Sequence, residues 1–230
     1  MKTLFGVFLT IFLCLNNSNA VNIECDVQDN VWTPFGYFKE CLAYRVVSKE
    51  PGMQLHAIDS YYNLEDLHSF YIYQSPHCYY LPTNIADKFP NLKTLIAAHT
   101  GLLSITKEDL APFPNILGLY IDYSKISSIQ GDVFINNKNL QQLSLKENDI
   151  KYVEADSFKF LSKLTSLDFK NNPCYSGKAD DRDDVGDLII NIEGNCNLRD
   201  YVKADVKDEI ESSSHTHNKL SSEEEISEDD

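Results

Sequence analysis

Residues 140–150 read LQQLSLKENDI, with apolar residues at the first, fourth, sixth and eleventh places and asparagine at the ninth. The same apolar spacing occurs 24 residues earlier, in ILGLYIDYSKI at 116–126, and 24 residues before that, in LKTLIAAHTGL at 92–102. It starts once more at Leu164, in LTSLDFKNN. A fixed period of this length indicates a solenoid, in which each repeat packs only against its neighbours.

The apolar pattern extends through the rest of each repeat, at places 13, 18 and 21 residues after its first residue. In the three complete repeats, 20 of the 21 core places are apolar, whereas a chain that is 43% hydrophobic would fill about nine by chance. The exception is Asn137. A weaker repeat starts at Leu67 and continues with Phe70, Ile72, Leu81, Ile85 and Phe89. We therefore predict about five units in residues 67–173.

The best copy, with Leu140, Leu143, Leu145, Asn148 and Ile150, resembles the leucine-rich repeat in its 24-residue extracellular form. The resemblance implies an α/β-type leucine-rich-repeat solenoid shaped as an arc. Its concave side would be a parallel β-sheet, and its convex side would hold irregular, 3-10 or short helical segments. The stretch from Leu81 to Cys174 is similar to short secreted leucine-rich-repeat proteins of dipteran insects.

The motif's asparagine lies at the turn that leaves the strand, where its side chain hydrogen-bonds backbone groups. Asn148 and Asn172 keep it, whereas Thr100 and Ser124 replace it in the two preceding repeats. A hydroxyl makes fewer of these hydrogen bonds than an amide, so we expect looser turns there.

Both ends of a repeat stack expose core and require caps. The resemblance implies an N-terminal cap in residues 21–66, with a disulfide between Cys25 and Cys41 and a strand such as 41–47 paired with the first repeat. At the other end, Asn172-Pro173-Cys174 resembles the opening of a C-terminal cap in residues 174–202, with Cys196 as the disulfide partner of Cys174. This cap is acidic and has two cysteines where the family's usual cap has four.

That pairing leaves Cys78 alone outside the leader. Three alternatives remain open at this point: a buried thiol, a disulfide-linked dimer through Cys78, or a different N-terminal pairing. The region after Cys196 shows no sustained heptad pattern that would favour a dimer.

Residues 1–20 are typical of a secretory signal peptide: Lys2 precedes an apolar run, and small residues precede a cut before Val21. The run is too short to span a bilayer, so we expect a secreted, extracellular product with no membrane anchor. Residues 203–230 carry ten acidic residues against three lysines and are predicted to be a disordered acidic tail.

The net charge of −15 gives no electrostatic reason to bind nucleic acid. No enzyme motif is present, and His77 beside Cys78 lacks an orienting group, so we predict no enzyme activity and no cofactor. The acidic loop at 178–187 begins like a calcium loop, but Val185 occupies a ligand place, so no metal site is predicted. His215 and His217 are better explained as part of the solvated tail.

Strand residues that point away from the core should line the concave face. In the first three repeats they include polar-tipped aromatic side chains, which binding surfaces favour. The predicted ligand-binding residues are Tyr71, Tyr73, Ile96, His99, Tyr120, Asp122 and Tyr123. The alternative is that strands favour tyrosine for its own sake, or that the N-terminal cap covers the cluster.

The sequence therefore favours a secreted, non-enzymatic recognition protein that binds a protein or glycan ligand on its concave face. The resemblance implies an immune, salivary or extracellular-matrix setting. The alternative is an extracellular structural or cation-associated protein that acts through its acidic loop and tail.

Overall fold

The computed structural model describes residues 20–59 and 63–197, without the side chains of 57–59. The predicted signal peptide, apart from Ala20, and the predicted acidic tail with its two histidines lie outside the described residues.

The described residues form a nine-stranded sheet and a separate two-stranded pair. In chain order the strands are β1 (Ala20–Thr33), β2 (Gly36–Tyr44), β3 (Gln54–Asp59), β4 (Ser69–Ser75), β5 (Thr94–Thr100), β6 (Gly118–Asp122), β7 (Ser128–Ile129), β8 (Gln142–Ser144), β9 (Tyr152–Val153), β10 (Ser166–Asp168) and β11 (Lys178–Ala179). The large sheet has the order β11-β10-β8-β6-β5-β4-β2-β1-β3. From β2 to β10 its strands run parallel, as the predicted solenoid requires.

The core lies behind this sheet. Every apolar core place predicted between residues 67 and 169 is buried, with Phe70, Leu95 and Leu145 fully inaccessible. Burial of each such side chain contributes about 1.5–3 kcal/mol, and stacking joins them into one continuous column. Asn137, the polar exception, is also buried, and its amide donates to the carbonyls of Leu110 (2.9 Å) and Phe113 (3.0 Å) in the preceding repeat.

The convex side is made of short elements, as the resemblance to the leucine-rich repeat implies. They are α1 (Ile85–Lys88), α2 (Lys107–Leu110) and the parallel β7–β9 pair. Helix α2 starts with a capping box, in which Thr106 and Asp109 satisfy each other's backbone N–H groups.

The turns that leave the strands confirm the predicted difference between asparagine and hydroxyl residues. The Asn148 amide donates to the carbonyls of Ile121 (2.7 Å) and Leu145 (3.1 Å), and its oxygen accepts from the N–H of Ile126 (3.2 Å). The hydroxyls of Thr100 and Ser124 hydrogen-bond each other at 2.7 Å, and each makes one local backbone hydrogen bond, Thr100 accepting from the N–H of Leu102 and Ser124 donating to the carbonyl of Asp122. The two hydroxyl turns thus have fewer side-chain ties to the neighbouring backbone.

The N-terminal cap is an antiparallel hairpin of β1 and β2, and β3 pairs with the outer side of β1. The Cα atoms of Cys25 and Cys41 are 5.1 Å apart in a disulfide. Strand β2 pairs in parallel with β4, which confirms the predicted contact with the first repeat. The strand differs from the predicted range 41–47, because it begins at Gly36, directly after the hairpin turn, and ends at Tyr44.

The C-terminal cap consists of β11, antiparallel to β10, and the helix α3 (Arg182–Asn195). Val185, Leu188 and Ile192 on this helix are buried against the end of the core, and Cys196 is bonded to Cys174. Within residues 20–59 and 63–197, no helix combines the length and apolarity needed to cross a membrane.

The prediction of an acidic loop at 178–187 is wrong in part, because residues 182–187 are the first turns of α3. Asp181 is the N-cap, and its carboxylate accepts from the N–H groups of Asp183 (3.1 Å) and Asp184 (3.0 Å). Acidic side chains stabilise the positive end of the helix dipole. These carboxylates therefore have a structural explanation.

Cys78 is fully buried, and its thiol contacts the carbonyl of Tyr80 at 3.5 Å. Burial raises its pKa to about 12. Both observations favour the buried thiol over the disulfide-linked dimer, because the sulfur has no accessible surface.

We expect Cys78 in the folded protein to react with a thiol-directed alkylating reagent at pH 8 at least about a hundredfold more slowly than in urea, because the thiolate is the reactive form. Mass spectrometry of timed samples measures both rates. Similar rates in the two solvents, or a band of double mass on a non-reducing gel, would contradict a buried thiol.

A concave face divided by the N-terminal hairpin

The concave face follows from the register of the parallel strands. Tyr71 of β4 pairs with Ile96 of β5, which pairs with Tyr120 of β6. A second row runs from Tyr73 through Ala98 to Asp122. Each repeat contributes one strand to the sheet. Outward-facing residues at equivalent places of successive repeats therefore lie side by side, in the predicted columns.

Four aromatic side chains form a continuous ladder across the sheet, next to the ends of the strands. We call this set, Tyr44, Tyr73, His99 and Tyr123, the aromatic ladder. The rings of Tyr44 and Tyr73 meet edge to face with centroids 6.0 Å apart, and those of Tyr73 and His99 do so at 5.6 Å. His99 and Tyr123 stack nearly parallel at 4.4 Å, and the ammonium of Lys146 lies 5.5 Å from the Tyr123 ring.

An unusual backbone conformation places the outer half of the ladder. His99 and Tyr123 have φ values of 54° and 51°, and the equivalent residues Gln74, Glu147 and Asn171 are also left-handed. This region is sparsely populated by residues other than glycine and asparagine. Because it recurs every repeat, it turns equivalent side chains the same way and brings them into contact.

The β1–β2 hairpin lies over the other part of the concave face. Its turn holds Pro34 and Phe35, and Gly36 closes it with a φ of 117° that favours glycine. Phe35 reaches as far as β6, where its ring lies 3.0 Å from the position a Cβ atom would take on Gly118. The hairpin thus crosses β4 and β5, and a glycine leaves room for its tip.

A cavity of about 350 Å³ lies between this hairpin and the sheet; we call it the hairpin cavity. Its lining residues are Val31, Trp32, Thr33, Pro34, Glu40, Tyr71, Thr94, Ile96, Ala98, Tyr120, Asp122 and Gln142. The volume is within the range of sites for small organic ligands. One side of the cavity is open to solvent along Trp32, which is 68% exposed.

Two buried carboxylates face the hairpin cavity. Glu40 is only 4% exposed, and its carboxylate accepts from the hydroxyl of Ser69 at 2.6 Å. Asp122 is 9% exposed and accepts from the hydroxyl of Ser144 at 2.5 Å, with the Lys146 ammonium 3.6 Å away. Burial raises the pKa of both carboxyl groups, and their hydrogen bonds oppose the shift.

The tyrosines of the cavity keep their protons. Burial raises the pKa of Tyr71 and of Tyr120 to about 12. The hydroxyl of Tyr120 donates to the side-chain oxygen of Gln142 at 2.6 Å. Neutral phenols that keep one polar contact present a hydrogen-bonding edge and an aromatic face to a ligand.

The structure therefore divides the seven predicted site residues into two groups. Tyr73, His99 and Tyr123 belong to the aromatic ladder, and the other four line the hairpin cavity. The hairpin tip covers the cavity residues and leaves the ladder exposed at Tyr44 and Tyr123. For the cavity residues this arrangement matches the alternative in which the N-terminal cap covers the cluster, and ligand binding by either group stays a prediction.

Several residues of both sites were not predicted. Tyr44 extends the ladder, while Trp32, Glu40 and Thr94 line the cavity. The sequence does contain a hairpin signal, since residues 31–38 read VWTPFGYF, a proline and a glycine between aromatic and β-branched residues. The sequence does not indicate the direction in which that hairpin points.

Comparison with known proteins agrees with the repeat fold. Residues 114–173 match the family model described as leucine rich repeat. Over 93 residues, or 40% of this chain, the sequence is 31% identical to the volume-regulated anion channel subunit LRRC8D of Homo sapiens. The matched stretch is 11% of that protein, so the chain spans only a small part of its curated relatives.

Solved structures with a similar course include the Toll–Spatzle complex of Drosophila, with a TM-score of 0.42 and 25% identity over 48% of this chain and 14% of that chain. The LRIM1/APL1C complex gives a TM-score of 0.46 and 15% identity over 66% of this chain and 31% of that chain. The repeat match, the parallel strands and the bonded cysteines near both ends define the fold as a leucine-rich-repeat solenoid with disulfide caps.

Proposed function

We propose that this is a secreted, non-enzymatic recognition protein that binds a protein or glycan ligand through its concave face. The aromatic ladder carries the proposal. Its outer members, His99 and Tyr123, are exposed and held in place by stacking. Rigid aromatic side chains with polar edges lose little conformational entropy on binding and supply much of the contact energy of protein interfaces.

Charged groups beside the ladder would orient such a ligand. The Lys146 ammonium lies over one end, and Glu147 accepts from the side-chain amide of Asn171 in the next repeat. Charges at the edge of an aromatic surface contribute to specificity and to the association rate. A polar ligand that covers the third and fourth repeats would meet both kinds of contact.

The proposed extracellular setting is supported by the predicted signal peptide and by the two disulfides, which persist in oxidising compartments. Similarity of the repeats to short dipteran proteins favours immunity, saliva or matrix as the context. In the alternative function, the tail at 203–230 would attract cations. The acidic segment at 178–187 gives that alternative less support, since part of it caps a helix.

We expect the double substitution His99→Ala and Tyr123→Ala to weaken capture of the ligand at least about tenfold, because the outer stacked pair is removed. The ligand is first recovered from the native secretion by affinity capture and identified by mass spectrometry. Surface plasmon resonance then compares the variants. Both side chains are exposed, so the fold should survive, and circular dichroism checks it.

Tyr37→Ala is the matched control, because Tyr37 is 71% exposed on the hairpin and lies outside the ladder. Deletion of residues 203–230 is the second control and should leave binding unchanged. Equal binding by the double variant and the wild type would exclude the ladder as the contact surface. Loss of binding on tail deletion alone would favour the cation-associated alternative.

A further inference from the structure

The hairpin cavity is built around a row of polar side chains. Glu40 of β2, Ser69 of β4 and Thr94 of β5 are successive Cα partners, and the row continues to Gly118 and Gln142. The Glu40 carboxylate accepts from the hydroxyl of Ser69, which lies between Glu40 and Thr94 in this row. The hairpin covers this row from above.

Thr94 is an unpartnered polar group. It is 1% exposed, it lines the cavity, and its hydroxyl has no hydrogen-bond partner among the described residues. A buried hydroxyl without a partner costs about 1–3 kcal/mol. The oxygen itself has no accessible surface, so a guest in the cavity does not reach it.

Glu40 also lacks a countercharge. Among the described residues its only hydrogen bond is to the neutral hydroxyl of Ser69, and no lysine or arginine pairs with it. Lys146 pairs with Asp122 at 3.6 Å. Two carboxylates thus line the cavity, and the Lys146 ammonium contacts only one of them, from outside the lining. A buried carboxylate is stabilised by a cation or by neutralisation, so the cavity favours a positively charged guest.

The walls of the cavity fit an organic cation rather than a bare metal ion. Trp32, Tyr71 and Tyr120 present aromatic rings, and Ile96 and Ala98 form an apolar floor. Aromatic faces attract ammonium groups, and apolar walls favour the hydrocarbon part of the same molecule. The described residues include no group of three or more metal-ligating side chains.

We propose that the hairpin cavity binds a small protonated organic amine. The ammonium donates a hydrogen bond to the Glu40 carboxylate, and its apolar body lies between Trp32 and the sheet. This site adjoins the aromatic ladder, since the Tyr71 ring lies 5.3 Å from the ring of Tyr73, but it goes beyond the proposed recognition of a protein or glycan. The amine is either a free small molecule or the lysine side chain of a partner, since both present the same group.

Tyramine is the probe, because it joins an ammonium to an aromatic body, and 4-ethylphenol is its neutral counterpart. Trp32 is the only tryptophan of the chain and lines the cavity, so its fluorescence reports occupancy. Isothermal titration calorimetry of the full chain gives the dissociation constants. We expect saturable binding of tyramine, and binding of 4-ethylphenol at least about tenfold weaker.

Two substitutions test the assigned contacts. Glu40→Gln keeps the acceptor for Ser69 and removes the charge, and it should weaken tyramine binding at least about tenfold. Thr94→Val removes only the inaccessible, unpartnered hydroxyl, so it should leave tyramine binding unchanged without lowering the melting temperature. Glu65→Gln is the matched control, because Glu65 is exposed and lies outside the cavity.

A third ligand, the amide of N-acetyl-lysine, distinguishes the two sources of the ammonium. Tighter binding of tyramine assigns the site to a free amine, and tighter binding of the lysine derivative assigns it to a partner's side chain. Equal affinity for tyramine and 4-ethylphenol, full affinity in Glu40→Gln, or no saturable binding of either amine would overturn the proposal. The double variant with His99→Ala and Tyr123→Ala is expected to bind tyramine with unchanged affinity. The proposal for the cavity and the proposal for the ladder can therefore be contradicted separately.

Discussion

The substitution Asn148→Ala is expected to lower the free energy of unfolding by about 3 kcal/mol. The Asn148 side chain is buried and satisfies the carbonyls of Ile121 and Leu145 and the N–H of Ile126. Alanine offers no replacement for these bonds, and the turn is too deeply buried for water to supply all of them. Each buried group left without a partner costs about 1–3 kcal/mol, while partial relaxation reduces the sum.

Urea unfolding followed by circular dichroism measures this loss. Asn136→Ala is the control, because Asn136 is exposed in the preceding repeat and should change stability by less than about 0.5 kcal/mol. Asn172→Ala should resemble Asn148→Ala, since its amide donates to Leu145 (2.9 Å) and Phe169 (3.2 Å). A loss below about 1 kcal/mol for Asn148→Ala would show that these hydrogen bonds are not what holds the turn.

This asparagine also shows why the repeats could be predicted from the sequence. A solenoid repeats the same environment, so the side chain required at one place is required again 24 residues later. Phe134 and Phe158 occupy one such place, and both are buried with their rings stacked 6.0 Å apart. Contacts between equivalent places are therefore visible as a period in the sequence, including the columns of the concave face.

The hairpin has no such period, because it occurs once. Residues 31–38 predict a turn between two strands, but where its tip lies depends on the packing of Phe35 against a strand more than 80 residues away. The same limit applies to the cavity. Glu40 and Thr94 belong to different structural units, and only the position of the hairpin makes them part of one site.

The left-handed residues illustrate a third kind of limit. Glycine or asparagine at a strand exit would have indicated positive φ, but the ladder uses His99 and Tyr123 there. For such residues this conformation costs roughly 1 kcal/mol each, and the sequence gives no sign of it. The cost is offset by ring stacking with the neighbouring repeats, which exists only after the repeats have stacked.

Gly118 is the residue that allows the hairpin tip to rest on the sheet. The equivalent residues in the neighbouring strands are Thr94 and Gln142, so the absence of a side chain at this place is specific to β6. A Cβ atom on Gly118 would lie 2.8 Å from the Tyr120 ring and 3.0 Å from the Phe35 ring. Tyr120 cannot easily move away, because its hydroxyl is bound to Gln142.

Gly118→Ala is therefore expected to displace the Phe35 ring and lower the free energy of unfolding by about 2 kcal/mol, the usual cost of overpacking. Trp32 lies in the same hairpin, so its emission should shift to longer wavelength as the tip lifts from the sheet. Gly186→Ala is the matched control: nothing lies within 4 Å of its Cβ position in α3, and alanine there should raise stability by about 1 kcal/mol. The same substitution is thus predicted to act in opposite directions at the two glycines.

A double-mutant cycle with Phe35→Ala separates the clash at the hairpin from any effect on the strand itself. Phe35→Ala alone should destabilise the hairpin, because it removes the contact with β6. In that background the added methyl of Gly118→Ala meets no ring from the hairpin, so its cost should fall by at least about 1 kcal/mol. If the cost is the same in both backgrounds, Phe35 does not rest on Gly118, and the hairpin does not close the cavity. If the cost falls by that amount and the emission shift is lost, then one glycine keeps the concave face divided between a covered cavity and an exposed ladder.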